Sequence, residues 1–171
     1  MKPALCVFSL LSLLSSGAIF GFFYAWVCST MWGLDAADPA VAIGAMQAMN
    51  ASVRNPVFAP AFFGTPFFLL ATALLSWFCR LKAASVIFAL AGLLYFLGGM
   101  VLTMTVNVPM NEALAVVAIP QDAAEAQRIW EDYSTPWQFW NVVRTIVSGI
   151  TLALTGLAIH LSSRTAAGAP A

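Results

Sequence analysis

Three short polar motifs carry the residue types that could bind or transform a ligand in this otherwise apolar chain. They are MNASVRNPVF with Asn50, Arg54 and Asn55, TVNVPMNEAL with Asn107, Asn111 and Glu112, and PWQFWNVVR with Trp140, Asn141 and Arg144. Amide and guanidinium N–H groups that converge on a partly dry pocket stabilise an oxyanion. The residue types therefore suit a ligand that is anionic or becomes so by losing a proton.

Arg144 is the most informative of these residues because it lies about one helical turn inside an apolar segment. An arginine that faces lipid there costs about 2.5–3.5 kcal/mol on insertion scales, so we expect it to face the protein interior or a wet cavity. Asn141 lies three residues earlier, one turn away on the same face, and Asn50 and Arg54 share a face at i,i+4 spacing. A structural role stays open, in which Arg144 reaches the interface or pairs with Glu112 and the asparagines cap helices.

Four apolar stretches are long enough to position these motifs as membrane-spanning helices. A hydrocarbon core of about 30 Å needs roughly 20 helical residues. The predicted spans are Leu5–Val27, Phe58–Phe78, Ala83–Val106 and Phe139–Leu161. Each motif then falls at the same end of the bundle. Tryptophans near that boundary, namely Trp26, Trp32, Trp130 and Trp137, fit an aromatic belt.

Charge predicts the orientation of the spans. Lys2, Arg80, Lys82 and Arg164 fall on one side, and every carboxylate falls in the two longer connections on the other. By the positive-inside rule, both termini are predicted to be cytoplasmic. The three polar motifs then lie at the outer face of the membrane.

The two outer connections are each predicted to hold a short amphipathic helix. Asp38 is a good N-cap with Pro39 at the first helical position, which predicts a helix to about Arg54. A second helix is expected after Pro120 and before Pro136. The fold class is therefore all-α: an integral membrane four-helix bundle with short helices in the outer connections. Residues 1–165 are predicted to form one membrane domain, followed by a disordered tail at 166–171.

Composition excludes several classes of function. The chain is 61% hydrophobic and 8% charged, with a mean hydropathy of +0.89 and a formal net charge of zero. The lipid bilayer is thus its expected partner, and nucleic acid is not. His160 is the only histidine and lies far from the polar motifs, so no metal site is predicted. Whether the chain forms a homo-oligomer stays open.

Considered together and in order, the motifs resemble the anthrone oxygenase family and the bacterial membrane proteins grouped with it. The matching segments are RNPVFAPAFFGTP, NVPMNEAL and WQFWNVVRT, and the resemblance extends over nearly the whole chain. The positions that match are Arg54, Asn55, Pro56, Asn107, Pro109, Asn111, Trp140, Asn141 and Arg144. The resemblance implies a membrane enzyme of polyketide tailoring; characterised members of the family add dioxygen to an anthrone without flavin, haem or metal. The predicted location is the bacterial inner membrane.

The residues are compatible with that chemistry. Arg144 and Asn141 are candidate oxyanion stabilisers, and Glu112 is the nearest carboxylate that could act as the base. Phe63 and Trp140 could stack on a polycyclic, hydrophobic small molecule. Asn50, Arg54, Asn55, Asn107 and Asn111 are the predicted substrate-binding polar residues, and no cofactor is expected. The alternative function is a non-catalytic membrane accessory protein or a binding protein for a lipophilic molecule.

Overall fold

The computed structural model describes residues 3–167, with side chains as far as Arg164, and is built from helices. They are α1 (Pro3–Asp35), α2 (Pro39–Ser52), α3 (Phe58–Phe78), α4 (Lys82–Ala115) and α5 (Ala123–Ala167). The described residues contain no strand. The predicted all-α fold is confirmed. Lys2 and residues 168–171, which make up most of the predicted tail, lie outside the described residues.

Four of these helices, α1, α3, α4 and α5, are long and apolar enough to cross a membrane, as predicted. In the bundle α1 packs on α3 and α5, and α4 packs on the same two helices. Leucine and phenylalanine side chains cover much of the outside, whereas serine and threonine hydroxyls lie inside. The Ser12 and Thr72 hydroxyls, for example, are 2.8 Å apart between α1 and α3. This distribution suits a bundle surrounded by lipid, where small polar side chains join helices.

One end of the bundle is closed by α2, and we call it the capped end. Asp38 is the N-cap of α2, accepting hydrogen bonds from the Ala40 and Val41 amides, with Pro39 at the first position. This part of the prediction is confirmed, although the helix ends at Ser52. The Gln47 side chain ties α2 to the end of α4, since its Nε2 donates to the Leu114 and Val117 carbonyls, both at 2.9 Å.

The second connection differs from the prediction. A separate helix ending before Pro136 was expected, but α5 continues through Pro136 without interruption. Proline removes one i→i−4 hydrogen bond and frees the carbonyl of Asp132. Asp132 and Pro136 are both exposed, whereas Trp130 and Trp137 on the other face are buried in the protein. Packing of that buried face therefore holds the helix together across the proline.

A second internal proline explains a contact between α3 and α4. Pro66 lacks the N–H that would bond to the Phe62 carbonyl in a regular helix. The buried Tyr95 hydroxyl of α4 donates to this carbonyl at 3.0 Å. The side chain of one helix thus replaces the backbone donor that the other helix lacks.

We expect Tyr95→Phe to lower the free energy of unfolding by about 1–3 kcal/mol, because the buried Phe62 carbonyl then has no donor. The measurement is thermal or denaturant unfolding in detergent. Tyr24→Phe is the matched control, since Tyr24 is half exposed and should lose less than about 0.5 kcal/mol. Equal losses in the two variants would contradict the assigned role of Tyr95.

Candidate functional site

A cavity of about 540 Å³ lies inside the capped end of the bundle. Cavities of roughly 300–1,000 Å³ with apolar walls and a few polar groups are typical of small-molecule sites. Aromatic side chains form most of the wall: Phe22, Phe23, Trp26, Phe58, Phe62, Phe63 and Trp137. The polar side chains on it are Asn50, Arg54, Asn55, Thr103, Asn111, Glu112 and Arg144. The cavity therefore suits a flat, largely apolar molecule with a polar group.

Arg144 is the buried charged residue of the cavity wall. The residue is only 4% exposed. Its guanidinium donates hydrogen bonds to Thr103 Oγ1 at 3.2 Å and to Asn141 Oδ1 at 2.9 Å. The guanidinium carbon lies 4.6 Å from the centre of the Phe23 ring. Among the described side chains no carboxylate pairs with it, because both ion pairs found there involve other arginines. Its Nε also has no hydrogen-bond partner among them.

Asn141 lies behind Arg144 and does not line the cavity. It is buried, and its two side-chain ends have different partners: Oδ1 accepts from Arg144 Nη2, and Nδ2 donates to the Phe23 carbonyl at 3.2 Å. The second bond ties α5 to α1. Asn141 thus fixes the direction of the guanidinium without itself lining the cavity.

The edge of the cavity at the capped end carries an ion pair. Arg54 Nη2 lies 3.1 Å from Glu112 Oε1, with side chains 60% and 59% exposed. This pair replaces the pairing of Glu112 with Arg144 that the sequence left open. Beside this pair, the side-chain oxygen Oδ1 of Asn55 accepts hydrogen bonds from the Val57 and Phe58 amides at 2.8 and 2.9 Å. These bonds cap the start of α3.

A hydrogen-bonded network roofs the cavity and joins α2, α4 and α5. Asn111 Oδ1 accepts from the Tyr133 hydroxyl at 2.8 Å and from Trp137 Nε1 at 2.9 Å. Asn50 Nδ2 in turn donates to the Tyr133 hydroxyl at 3.3 Å. Sequence reasoning did not find the roles of Tyr133 and Trp137. Trp137 lies one turn before Asn141 in the third motif, and this spacing could have indicated a site residue. The sequence analysis assigned Trp137 to the aromatic belt instead.

The remaining predicted site residues are divided between the cavity and the protein interior. Phe63 lines the cavity. Trp140 does not; it is half-buried and its ring lies 5.1 Å from that of Phe139. Asn107 does not line it either, although it is fully buried and neither of its amide atoms has a partner among the described side chains. It ends a π-helical turn, Thr103–Asn107, a distortion found often at functional sites.

The chemistry available to this arrangement is oxyanion stabilisation in a cavity whose wall also carries a carboxylate. Within residues 3–164 no cluster of three histidine, cysteine or carboxylate side chains could hold a metal ion. Glu112 is the single carboxylate on the described cavity wall. A guanidinium without a carboxylate partner in an apolar wall favours a ligand that carries negative charge, at least transiently.

Comparison with known proteins identifies the family of the chain. The family model described as anthrone oxygenase matches residues 56–154, which is more than half of the 171 residues and spans α3, α4 and most of α5. No curated protein and no solved structure matches the chain. The matched segment includes Asn107, Asn111, Glu112, Asn141 and Arg144. The chain therefore belongs to the anthrone oxygenase family.

Proposed function

We propose that the protein is a membrane-embedded oxygenase that acts on an anthrone-like, enolisable aromatic bound in the cavity at the capped end. The observation that carries the proposal is Arg144, a buried cation in an aromatic wall with no carboxylate partner among the described side chains. Burying a charge without a counter-ion is unfavourable in itself. A ligand that becomes anionic during the reaction supplies the missing charge.

The reaction begins with removal of a proton from the carbon opposite the ketone of the anthrone. The electron pair moves toward the ketone oxygen, and the resulting oxyanion lies against the Arg144 guanidinium. Hydrogen bonds to Asn141 and Thr103 hold this guanidinium in place. The fixed guanidinium makes this anion easier to form because it is oriented before the charge develops.

Dioxygen is the oxidant. The electron-rich carbon forms a bond to one oxygen atom, and protonation of the other gives a hydroperoxide. Loss of the second proton from that carbon breaks the O–O bond, leaves a second ketone and releases water. One dioxygen is consumed for each anthraquinone, and this route needs no flavin, haem or metal.

Glu112 is the proposed base because it is the single carboxylate on the described cavity wall. In a helix, side chains lean toward the N-terminus. For Glu112 this direction leads along α4 toward Thr103 and therefore toward Arg144. Its partner Arg54 lies at the exposed edge, and a base can act directly or through one water.

Oxygen uptake tests this proposal. Purified protein in lipid vesicles should consume dioxygen when anthrone is added, yield one anthraquinone per dioxygen and release no hydrogen peroxide. Anthrones oxidise slowly in air, so vesicles without protein give the background rate. Uptake no faster than this background, with anthrone still bound, would favour the alternative of a non-catalytic protein that binds lipophilic molecules. The observation that favours this alternative is that Glu112, the proposed base, is exposed and ion-paired with Arg54.

We further propose that the protein lies in the bacterial inner membrane with its capped end facing outward and both termini in the cytoplasm. The basic residues beside the α3–α4 turn, Arg80 and Lys82, support this orientation, as does the concentration of carboxylates at the capped end. The cavity then lies near the outer surface of that membrane.

Cysteine labelling should verify the orientation. In a background with Cys6, Cys28 and Cys79 replaced by alanine, a membrane-impermeant maleimide should label Gln121→Cys in intact cells. Ala83→Cys should react only after the membrane is made permeable. Both positions are exposed and uncharged, so neither substitution alters the charge pattern. Labelling of the two sites from the same side would remove the four-span topology.

A further inference from the structure

The helices α3 and α4 pack closely at one end of the bundle and have few contacts toward the capped end. Along the Lys82–Tyr95 part of α4 they pack tightly, and a Cβ added at Gly92 would lie only 3.2 Å from Leu69 and Leu70 side-chain atoms. The hydrogen bond from Tyr95 to the Phe62 carbonyl joins them near the cavity floor. Beyond Val101 the two helices have few contacts. Contacts between the two helices therefore end near the start of α3 at Phe58, and we call this uncontacted part of the α3–α4 seam, beside the cavity, the gap.

Two apolar side chains border this gap, one on each helix. Phe63 of α3 and Met104 of α4 both line the cavity, and they are 45% and 46% exposed. In a bundle surrounded by lipid, apolar side chains of this kind on α3 and α4 face the acyl chains. Side chains that belong to both the cavity wall and the outer surface mark an opening between the two.

The capped end, by contrast, is covered. The roof network joins Asn50, Asn111 and Tyr133, and the Arg54–Glu112 ion pair lies at the exposed edge. Helix α2 packs on α5 and on the end of α4 but has few contacts with α3. The gap between α3 and α4 thus remains uncovered on its lipid-facing side.

The gap also lies at the depth of the charged group in the cavity. Met104 is adjacent to Thr103, which accepts the hydrogen bond from Arg144. Glu112 lies eight residues further along α4, which is ~12 Å closer to the capped end at 1.5 Å per residue. A molecule that arrives between Phe63 and Met104 therefore meets Arg144 without crossing the charged edge.

We propose that the ligand enters the cavity sideways from the bilayer, between α3 and α4, with Phe63 and Met104 bordering the opening. The occupant is a flat aromatic molecule dissolved in the hydrocarbon core; its chemistry rests on the proposed function. The bilayer concentrates such molecules, so partition into lipid selects apolar ligands. The width of the opening then selects flat ones. Water-soluble anions of the same shape are excluded because the approach is apolar.

The test compares rates with affinity in the full chain reconstituted into lipid nanodiscs. The probe is 1,8-dihydroxyanthraquinone, followed in stopped flow by its visible absorbance. Met104→Trp should slow association about tenfold, equivalent to an entry barrier raised by about 1.4 kcal/mol, because the larger ring narrows the opening. Met104→Ala should speed association. Anthrone turnover is measured separately. Probe binding without anthrone turnover would reject the oxygenase function, and the access route would still be judged by the binding rates.

Leu97→Trp is the matched control, because Leu97 lies seven residues before Met104 in α4, is exposed and does not line the cavity. It should leave the association rate unchanged. Unchanged association rates in both Met104 variants would overturn the proposed route. A Met104→Trp variant with weaker affinity and an unchanged association rate would also overturn it, because Met104 would then be a contact within the site only. Absence of probe binding to the unaltered protein would overturn the access route, and the oxygenase function would then be judged by anthrone turnover.

Discussion

Arg144→Lys is expected to lower the turnover of anthrone about 10²–10³-fold, the usual effect of losing one preorganised oxyanion donor. Lysine keeps the positive charge but cannot reproduce the planar fork that donates to Thr103 and Asn141 while facing the cavity. The measurement is oxygen uptake per folded protein, with the folded fraction taken from thermal unfolding in detergent. Arg128→Lys makes the same chemical change at an exposed ion pair away from the cavity and should retain full turnover.

Asn141→Ala provides a second arm of this experiment. Because Asn141 contacts Arg144 and not the cavity, its loss should act through the guanidinium. Residues that act through one group are non-additive, so the double variant should be little worse than Arg144→Lys alone. Fully additive losses would separate the two residues. Parallel losses of stability and turnover in every variant would assign Arg144 to the scaffold instead of the reaction.

Glu112→Gln is expected to lower turnover about 10²–10⁴-fold, the typical contribution of a general base. Glutamine has nearly the shape of glutamate but cannot accept the proton from the anthrone. Hydroxide can replace a missing base, so the turnover of this variant should recover as the pH rises, whereas that of Arg144→Lys should not recover in the same way. The measurement is the pH dependence of oxygen uptake for the two variants.

Arg54→Gln is the control for the ion pair that Glu112→Gln also breaks. The two side chains are mostly exposed, and such pairs contribute ~0–1 kcal/mol, so turnover should change less than about fivefold. Similar losses in the two variants would attribute the effect to the broken ion pair. Full turnover by Glu112→Gln at neutral pH would remove Glu112 from the mechanism.

The amino-acid sequence alone determined the helical architecture of this protein. Runs of about 20 apolar residues admit few structures in lipid, because every backbone polar group must be satisfied within the segment, and this constraint fixed the four spans. The Asp38-Pro39 start of α2 could also be predicted, since a cap depends on residues adjacent in the chain. The continuation of α5 through Pro136 could not be predicted, because the packing of Trp130 and Trp137 outweighs the local effect of the proline.

The polar site was predictable as a set of residues but not as an arrangement. A costly arginine inside an apolar span identified Arg144. In the structure it lines one cavity together with Asn50, Arg54, Asn55, Asn111, Glu112 and Phe63. Only the tertiary structure places Asn141 behind the guanidinium, pairs Glu112 with Arg54 and leaves Asn107 and Trp140 off the cavity wall. Spacing along the chain assigns residues to a face of a helix, whereas the neighbouring helices decide which of those residues border a cavity and which are buried between helices.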